Sequence, residues 1–209
     1  MRRVDVVRDY GGISAEQRRA DRRGKLVAAG RRIWGQSGVG EVTVRGVSSA
    51  AGVIPRYFYE HFTDRDALLN AVLDEVSSEL IAATVEASTN TDGDWPGKLQ
   101  AAIRALLDLV ADDPHLYRIV TSDTPMSAAR RNELAAAITE IMIQLGPDYL
   151  APDQLDPVQL RRRATFIVGG VDRLIETWLS DRNESTTDLA EACTHLAIAV
   201  MGAPLGRGQ

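Results

Sequence analysis

All-α is the fold class this sequence predicts, and three observations carry it. Apolar residues recur at spacings of three and four along most of the chain. No stretch shows the strict alternation of a half-buried strand. Ala, Leu and Arg, all strong helix formers, are frequent, while aromatics are only 5%. About nine helices are expected by this pattern, and a 44% hydrophobic content is enough for a sizeable core.

Residues 1–15 hold Arg2, Arg3, Arg8 and the pair Gly11-Gly12 without a period, and read as a flexible basic arm. From Ala15 to Ser37 the pattern is helical. Leu26, Gly30, Ile33, Trp34 and Ser37 share one face, and Arg18, Arg19, Arg22, Arg23 and Lys25 crowd the N-terminal part. Gly38 and Gly40 end that helix. With Gly35 they form no nucleotide loop, because no strand precedes them and the glycine order is wrong.

The stretch Thr43–Phe62, TVRGVSSAAGVIPRYFYEHF, reads as two short helices around a tight turn. Thr43 is placed to cap the first. Gly52 stops it, since glycine accepts the left-handed conformation without a Cβ clash. Pro55 suits the first turn of the second, where its missing N–H removes no hydrogen bond. That second helix is expected to run about two turns and to carry Arg56, Tyr57, Tyr59 and His61. Thr63 and Asp66 then resemble a capping box for a long helix with Leu69, Val72, Leu73, Val76 and Leu80 on one face.

Further helices follow at each cap and breaker. Asp94 caps one with Leu99, Ile103, Leu106, Leu107 and Val110 inward, and Asp112-Asp113-Pro114 breaks it. A short helix from His115 to Thr121 and a loop from Thr121 to Met126 come next. A helix bearing Leu134, Ile138, Ile141, Met142 and Leu145 ends at Gly146-Pro147, and a polar loop spans 147–156. Asp156-Pro157 opens a long helix to about Ser180, whose stripe is Leu160, Ala164, Ile167, Val171, Leu174, Ile175 and Trp178. Its central Gly169-Gly170 is tolerable where another helix approaches closely. The last helix carries Leu189, Cys193, Leu196, Ala197 and Val200.

Charge is divided along the chain. Through Arg65 there are 13 Lys and Arg against 7 Asp and Glu; beyond it, 11 against 22. A basic front on an acidic body points to a front that meets a polyanion. The single Cys193 excludes an internal disulfide, and no apolar run reaches the ~18–20 residues that span a bilayer. A cytoplasmic protein without a secretory signal is expected, with no membrane partner.

Catalytic chemistry finds no constellation. His61, His115 and His195 are far apart in sequence, Cys193 stands alone, and GVSSA from Gly46 lacks the second glycine of a nucleophile elbow. No enzyme, metal or cofactor is expected.

The run from Arg22 to Val76 resembles the N-terminal DNA-binding domain of the tetracycline-repressor (TetR) family. Trp34 with Gly38, Thr43-Val44, Ala51-Gly52-Val53, Tyr59-x-His61-Phe62 and Asp66-x-Leu68-Leu69 carry the resemblance in order and without a gap. It implies a three-helix helix-turn-helix head over 16–65 and a helical effector-binding and dimerisation body over 66–209. By position, Thr43, Tyr59, His61 and Arg65 (where the family usually has Lys) are implied phosphate contacts, with Pro55 opening the recognition helix. Arg45, Arg56 and Tyr57 are candidates for base edges, arginine because its fork matches guanine O6 and N7.

Ile54 departs from the family's Ser or Thr and cannot cap. The implied partners are a double-stranded operator, a second copy through the last two long helices, and a small apolar or aromatic effector. Trp95, Tyr117, Met142, Phe166 and Trp178 are the candidates to line its pocket. The expected function is a repressor released by that effector. The alternative is a helical dimeric scaffold that has lost DNA binding, for which the uncapped Ile54 would speak.

Overall fold

Ser14 begins α1 with a reciprocal cap: its hydroxyl accepts from the Gln17 N–H at 3.0 Å, and the Gln17 side chain accepts from the Ser14 N–H at 2.8 Å. The computed structural model describes residues 14–145 and 156–202, apart from the side chain of Leu145. The basic arm through residue 13, the stop at Gly146-Pro147 and nearly all of the loop over 147–156 lie outside the described residues.

Among the described residues every regular element is helical: α1 (Ala15–Ser37), a 3-10 turn (Val39–Glu41), α2 (Val44–Ala51), α3 (Pro55–Phe58), α4 (Arg65–Thr89), α5 (Trp95–Asp112), α6 (Pro114–Val120), α7 (Pro125–Leu145), α8 (Pro157–Asp181) and α9 (Thr186–Gly202). The described residues divide into two compact units, with the division between Val72 and Leu73. The sequence-based boundary between Arg65 and Asp66 falls a few residues earlier, inside the first unit.

In the first unit α2 packs on α1 and α3 on α2. Leu26, Trp34, Val42, Val47, Phe58, Leu68 and Val72 are buried at its centre. Gly30 permits the close approach of α1 to the start of α4. A Cβ there would meet Val72 Cγ2 at 3.2 Å and Leu68 Cδ2 at 3.3 Å. The expected face of α1 is only partly inward: Ile33 is half-buried and Ser37 exposed.

The cap of α4 differs from expectation. Asp64, not Thr63, receives the Ala67 N–H at 2.8 Å, and the helix begins at Arg65. The Thr63 hydroxyl turns to the Asp64 carboxylate at 3.3 Å. A carboxylate is the stronger acceptor at a helix N-terminus, where the dipole favours negative charge. The third helix is also shorter than two turns. It closes after Phe58, leaving Tyr59 and His61 in the turn that follows.

In the second unit α5 packs along α9, α7 on α8, α8 on α9, and α6 touches both α5 and α7. Asp94 caps α5 and Asp156 caps α8 as expected. Thr124 caps α7, receiving the Ser127 N–H at 3.0 Å, so this helix starts at Pro125 inside the expected loop. Trp95, Met142, Leu160, Ala164, Ile167, Ala197 and Met201 form one buried cluster. Ile141 and Leu196, assigned inward faces by spacing, are 41% and 57% exposed.

Candidate functional site

The α2–turn–α3 segment is built by three local devices. Thr43 Oγ1 accepts from the Gly46 N–H at 3.0 Å and starts α2. Gly52 stops it with φ 64 and ψ 31, a left-handed conformation that a side chain would strain. Pro55 is the first residue of α3, and Ile54 before it offers no side-chain cap and is 65% exposed.

Phe58 then anchors α3, wholly buried, with its ring 5.4 Å from that of Tyr59 and 5.5 Å from that of Phe62. Anchoring by Phe58 leaves Pro55, Arg56, Tyr57 and Tyr59 facing solvent. Arg45, one residue into α2, and the capping Thr43 are exposed as well. Thr43 uses an acceptor lone pair for its cap, so its hydroxyl proton remains available to an anion.

Two candidate residues are held within the protein. Arg65 donates from Nε to the Val42 carbonyl at 2.5 Å and from Nη2 to the Val39 carbonyl. Its Nη1 lies 3.6 Å from Asp66. His61 is half-buried, and its Nε2 is enclosed without a hydrogen-bond partner. Desolvation and the nearby Arg19, Arg22 and Arg23 push the imidazole below its ordinary value, with Glu60 opposing.

Those arginines are the part that sequence reasoning placed only as a crowd. Arg19 Nη2 donates to the Glu60 carbonyl at 3.2 Å, and Arg22 lies 3.9 Å from the Glu60 carboxylate. The Arg22 guanidinium sits 5.0 Å from the Tyr57 ring centroid, and that of Arg23 sits 5.3 Å from the Phe62 ring centroid. The 19, 22, 23 spacing puts all three on one face of α1, which was the available signal. The result is a set of cations gathered over α3 and the turn after it.

The five residues expected to line an effector pocket do not come together. Trp95 and Met142 belong to the packed cluster of the second unit. The Tyr117 hydroxyl donates to Asp172 Oδ1 at 2.7 Å, tying α6 to α8, and burial with this carboxylate raises the phenol well above its ordinary range. Trp178 donates from Nε1 to the Glu184 carbonyl at 3.0 Å and lies under Arg182. Phe166 is 69% exposed on α8. Burial pushes the Cys193 thiol up to about 11. Among the described residues no three His, Cys, Asp or Glu side chains group as metal ligands, and no helix is long and apolar enough to cross a membrane.

A capped helix, a left-handed glycine turn and a short helix displaying arginine and tyrosine form a helix-turn-helix, the device by which a protein lays one helix in the DNA major groove. Residues 26–72 match the family model described as bacterial regulatory proteins, tetR family. Over these residues the chain carries a helix-turn-helix domain of the TetR family.

Solved structures share the fold over nearly the whole chain. A TetR family transcription regulator from Marinobacter aquaeolei VT8 is 24% identical with a TM-score of 0.67, covering 88% of this chain and 97% of that one. The fatty acid degradation regulator FadR from Bacillus halodurans is 18% identical with a TM-score of 0.70, covering 84% and 94%. FadR from Bacillus subtilis, solved in complex with stearoyl-CoA, is 18% identical with a TM-score of 0.68, covering 85% and 98%.

Proposed function

We propose that this regulator is a homodimeric repressor, acting in the cytoplasm, whose two heads bind a pseudo-palindromic operator and are released by a small-molecule effector in the body. The observation that carries the reading is the exposed set Arg45, Arg56, Tyr57 and Tyr59 on a helix-turn-helix anchored by Phe58. Arg56 and Arg45 read base edges, and Thr43, Tyr59 and His61 hold phosphates, so that few side chains set sequence and the rest set position. Arg65, engaged with Val39 and Val42, braces the entry to α2 instead.

Dimerisation draws support from the outer faces of α8 and α9. Val158, Phe166, Leu196 and Ile198 are exposed apolar side chains there. Gly169 and Gly170 are exposed, and beyond the backbone of their own helix and their chain neighbours no described atom lies within 4 Å of a built Cβ. A glycine pair in mid-helix lowers helix propensity by roughly 1 kcal/mol per residue, a cost that close approach of a second copy offsets. A twofold pair also doubles the few base contacts over two half-sites.

The effector must prefer the DNA-incompetent state, since equal affinity for both states releases nothing. A body that takes a ligand with an apolar chain is in keeping with the stearoyl-CoA complex of the Bacillus subtilis protein. Helix α4, which begins at Arg65 and runs to Thr89, is the lever from body to head. The test is selection of bound duplexes from a random pool at ~150 mM salt, where non-specific phosphate binding is weak. An enriched inverted repeat is expected. A folded dimer that enriches nothing would favour the scaffold alternative.

A further inference from the structure

We propose that the cleft between α4 and α7 binds a small amphiphilic cation: an ammonium-type head on a short apolar body. The site stands on its own geometry, and only its link to DNA release rests on the effector reading above. The cleft measures about 320 Å³, and its wall includes Asp74, Ser77 and Ile81 of α4 and Arg130, Glu133 and Leu134 of α7. That volume is at the small end of ligand sites, about 300–1,000 Å³, and sets the short body.

Ser77 is the group that asks for a ligand. It is 5% exposed, and its hydroxyl makes no hydrogen bond. Elsewhere on α4, the Thr84 hydroxyl donates to the Ile81 carbonyl at 2.8 Å, and that of Thr89 to the Val85 carbonyl at 2.9 Å. Such back-bonding is the ordinary recourse of a helical hydroxyl. A buried hydroxyl left unused destabilises the fold unless something else satisfies it.

Charge decides the sign of the ligand. Arg130 pairs with Asp74 across the helices and with Glu133 at 3.0 Å on its own helix, leaving one negative charge in excess. The Asp74 and Glu133 side chains are 59% and 66% exposed, against 30% for Arg130. The outward face is therefore the carboxylates. A cation is drawn to that face and an anion is turned away. Inside, an ammonium N–H donates to Ser77 Oγ while the body of the ligand lies against Ile81 and Leu134. Drawing Asp74 away from Arg130 loosens a bond between α7 and α4.

The test is calorimetric titration of the full-length, DNA-free protein with n-pentylammonium, pentanoate and pentanol. Saturable binding of n-pentylammonium at one site per chain is expected, with no heat from pentanoate. Glu133→Gln, which removes the excess negative charge, should weaken it roughly tenfold, and Ser77→Ala, which removes the hydroxyl acceptor, roughly fivefold. Neither substitution breaks a buried pairing, so both variants should keep the parent's melting temperature or, for Ser77→Ala, exceed it. No saturation by n-pentylammonium overturns the site. So does equal binding of pentanoate, or unchanged affinity in both folded variants. Binding that leaves operator affinity unaltered supports the site while removing the effector reading.

Discussion

Arg65 Nε donates to the Val42 carbonyl at 2.5 Å, so the first residue of α4 holds the segment that leads into α2. The same guanidinium also reaches the Val39 carbonyl. A planar fork spans two carbonyls three residues apart, whereas a lysine ammonium is a single point charge. The consequence bears on Thr43, which follows Val42 directly and caps α2.

Arg65→Lys is therefore expected to lower stability by roughly 1–2 kcal/mol in urea unfolding, for the weakening of hydrogen bonds to a charged group. Operator affinity should fall while the dependence of log K on log salt keeps its slope. A phosphate contact would show itself in Arg65→Gln, which removes the charge: its loss would spare stability and reduce the slope by about one, whereas a brace would cost stability at an unchanged slope. Measuring the slope at four or more salt concentrations separates the two roles.

Arg56 and Tyr59 should part company in the same assay. Arg56→Ala is expected to weaken operator binding by roughly 1–3 kcal/mol and to relax preference at one base position. Tyr59→Phe removes only a hydroxyl from a 62%-exposed side chain, and should weaken all sequences alike. Uniform losses for Arg56→Ala across a panel of single-base operator variants would make Arg56 a phosphate contact.

His61 gives two pH dependences of opposite sign. Desolvation with Arg19, Arg22 and Arg23 lowers its folded-state value, and only Glu60 among the neighbouring charges raises it. As pH falls through about 6.5, the unfolded chain takes up a proton that the folded chain resists. Stability then falls with acidification until the folded pKa is passed. A DNA phosphate beside the ring reverses the balance, because it favours the imidazolium. Operator binding should take up a proton and tighten as pH is lowered from about 8 to about 6. His61→Gln should flatten both profiles. Melting curves and binding isotherms across that range decide it, and a parent protein whose affinity does not change with pH would remove His61 from the phosphate set.

The parts of this fold that local rules govern were legible in the sequence. Thr43, Gly52 and Pro55 each answer a backbone requirement within a few residues, and each performs the expected task. Asp64 shows the limit of such rules. Two capping residue types stand side by side, and each would start the helix in its own register; Asp64 takes the Ala67 N–H and sets the start at Arg65. The arginine cluster required knowing that one face of α1 meets the turn after α3, a tertiary fact that spacing narrows but does not supply. Among the effector candidates Phe166 differs from expectation for another reason: Trp95, Tyr117, Met142 and Trp178 are buried, whereas Phe166 is out of phase with the Leu160, Ala164, Ile167 stripe of its own helix and faces outward.

That phase makes Phe166 the most direct probe of assembly. It is 69% exposed, beside the exposed Gly169-Gly170 pair and on the same helix as Val158 at 57%. A large exposed aromatic contributes nothing to the monomer's core, so Phe166→Glu should leave the melting of an isolated chain nearly unchanged. Across a twofold axis the same change meets its own copy, placing two carboxylates where two rings would pack. Dimerisation should weaken by on the order of 2 kcal/mol or more, the size of an interface hot spot, about thirtyfold in dissociation constant. Light scattering on a size-exclusion column reads the mass. A monomer that retains non-specific DNA binding but loses the inverted repeat would tie sequence recognition to pairing of the heads. A variant whose dimer dissociation constant equals the parent's would move the interface off this face of α8, and the exposed glycines would then have no partner to explain them.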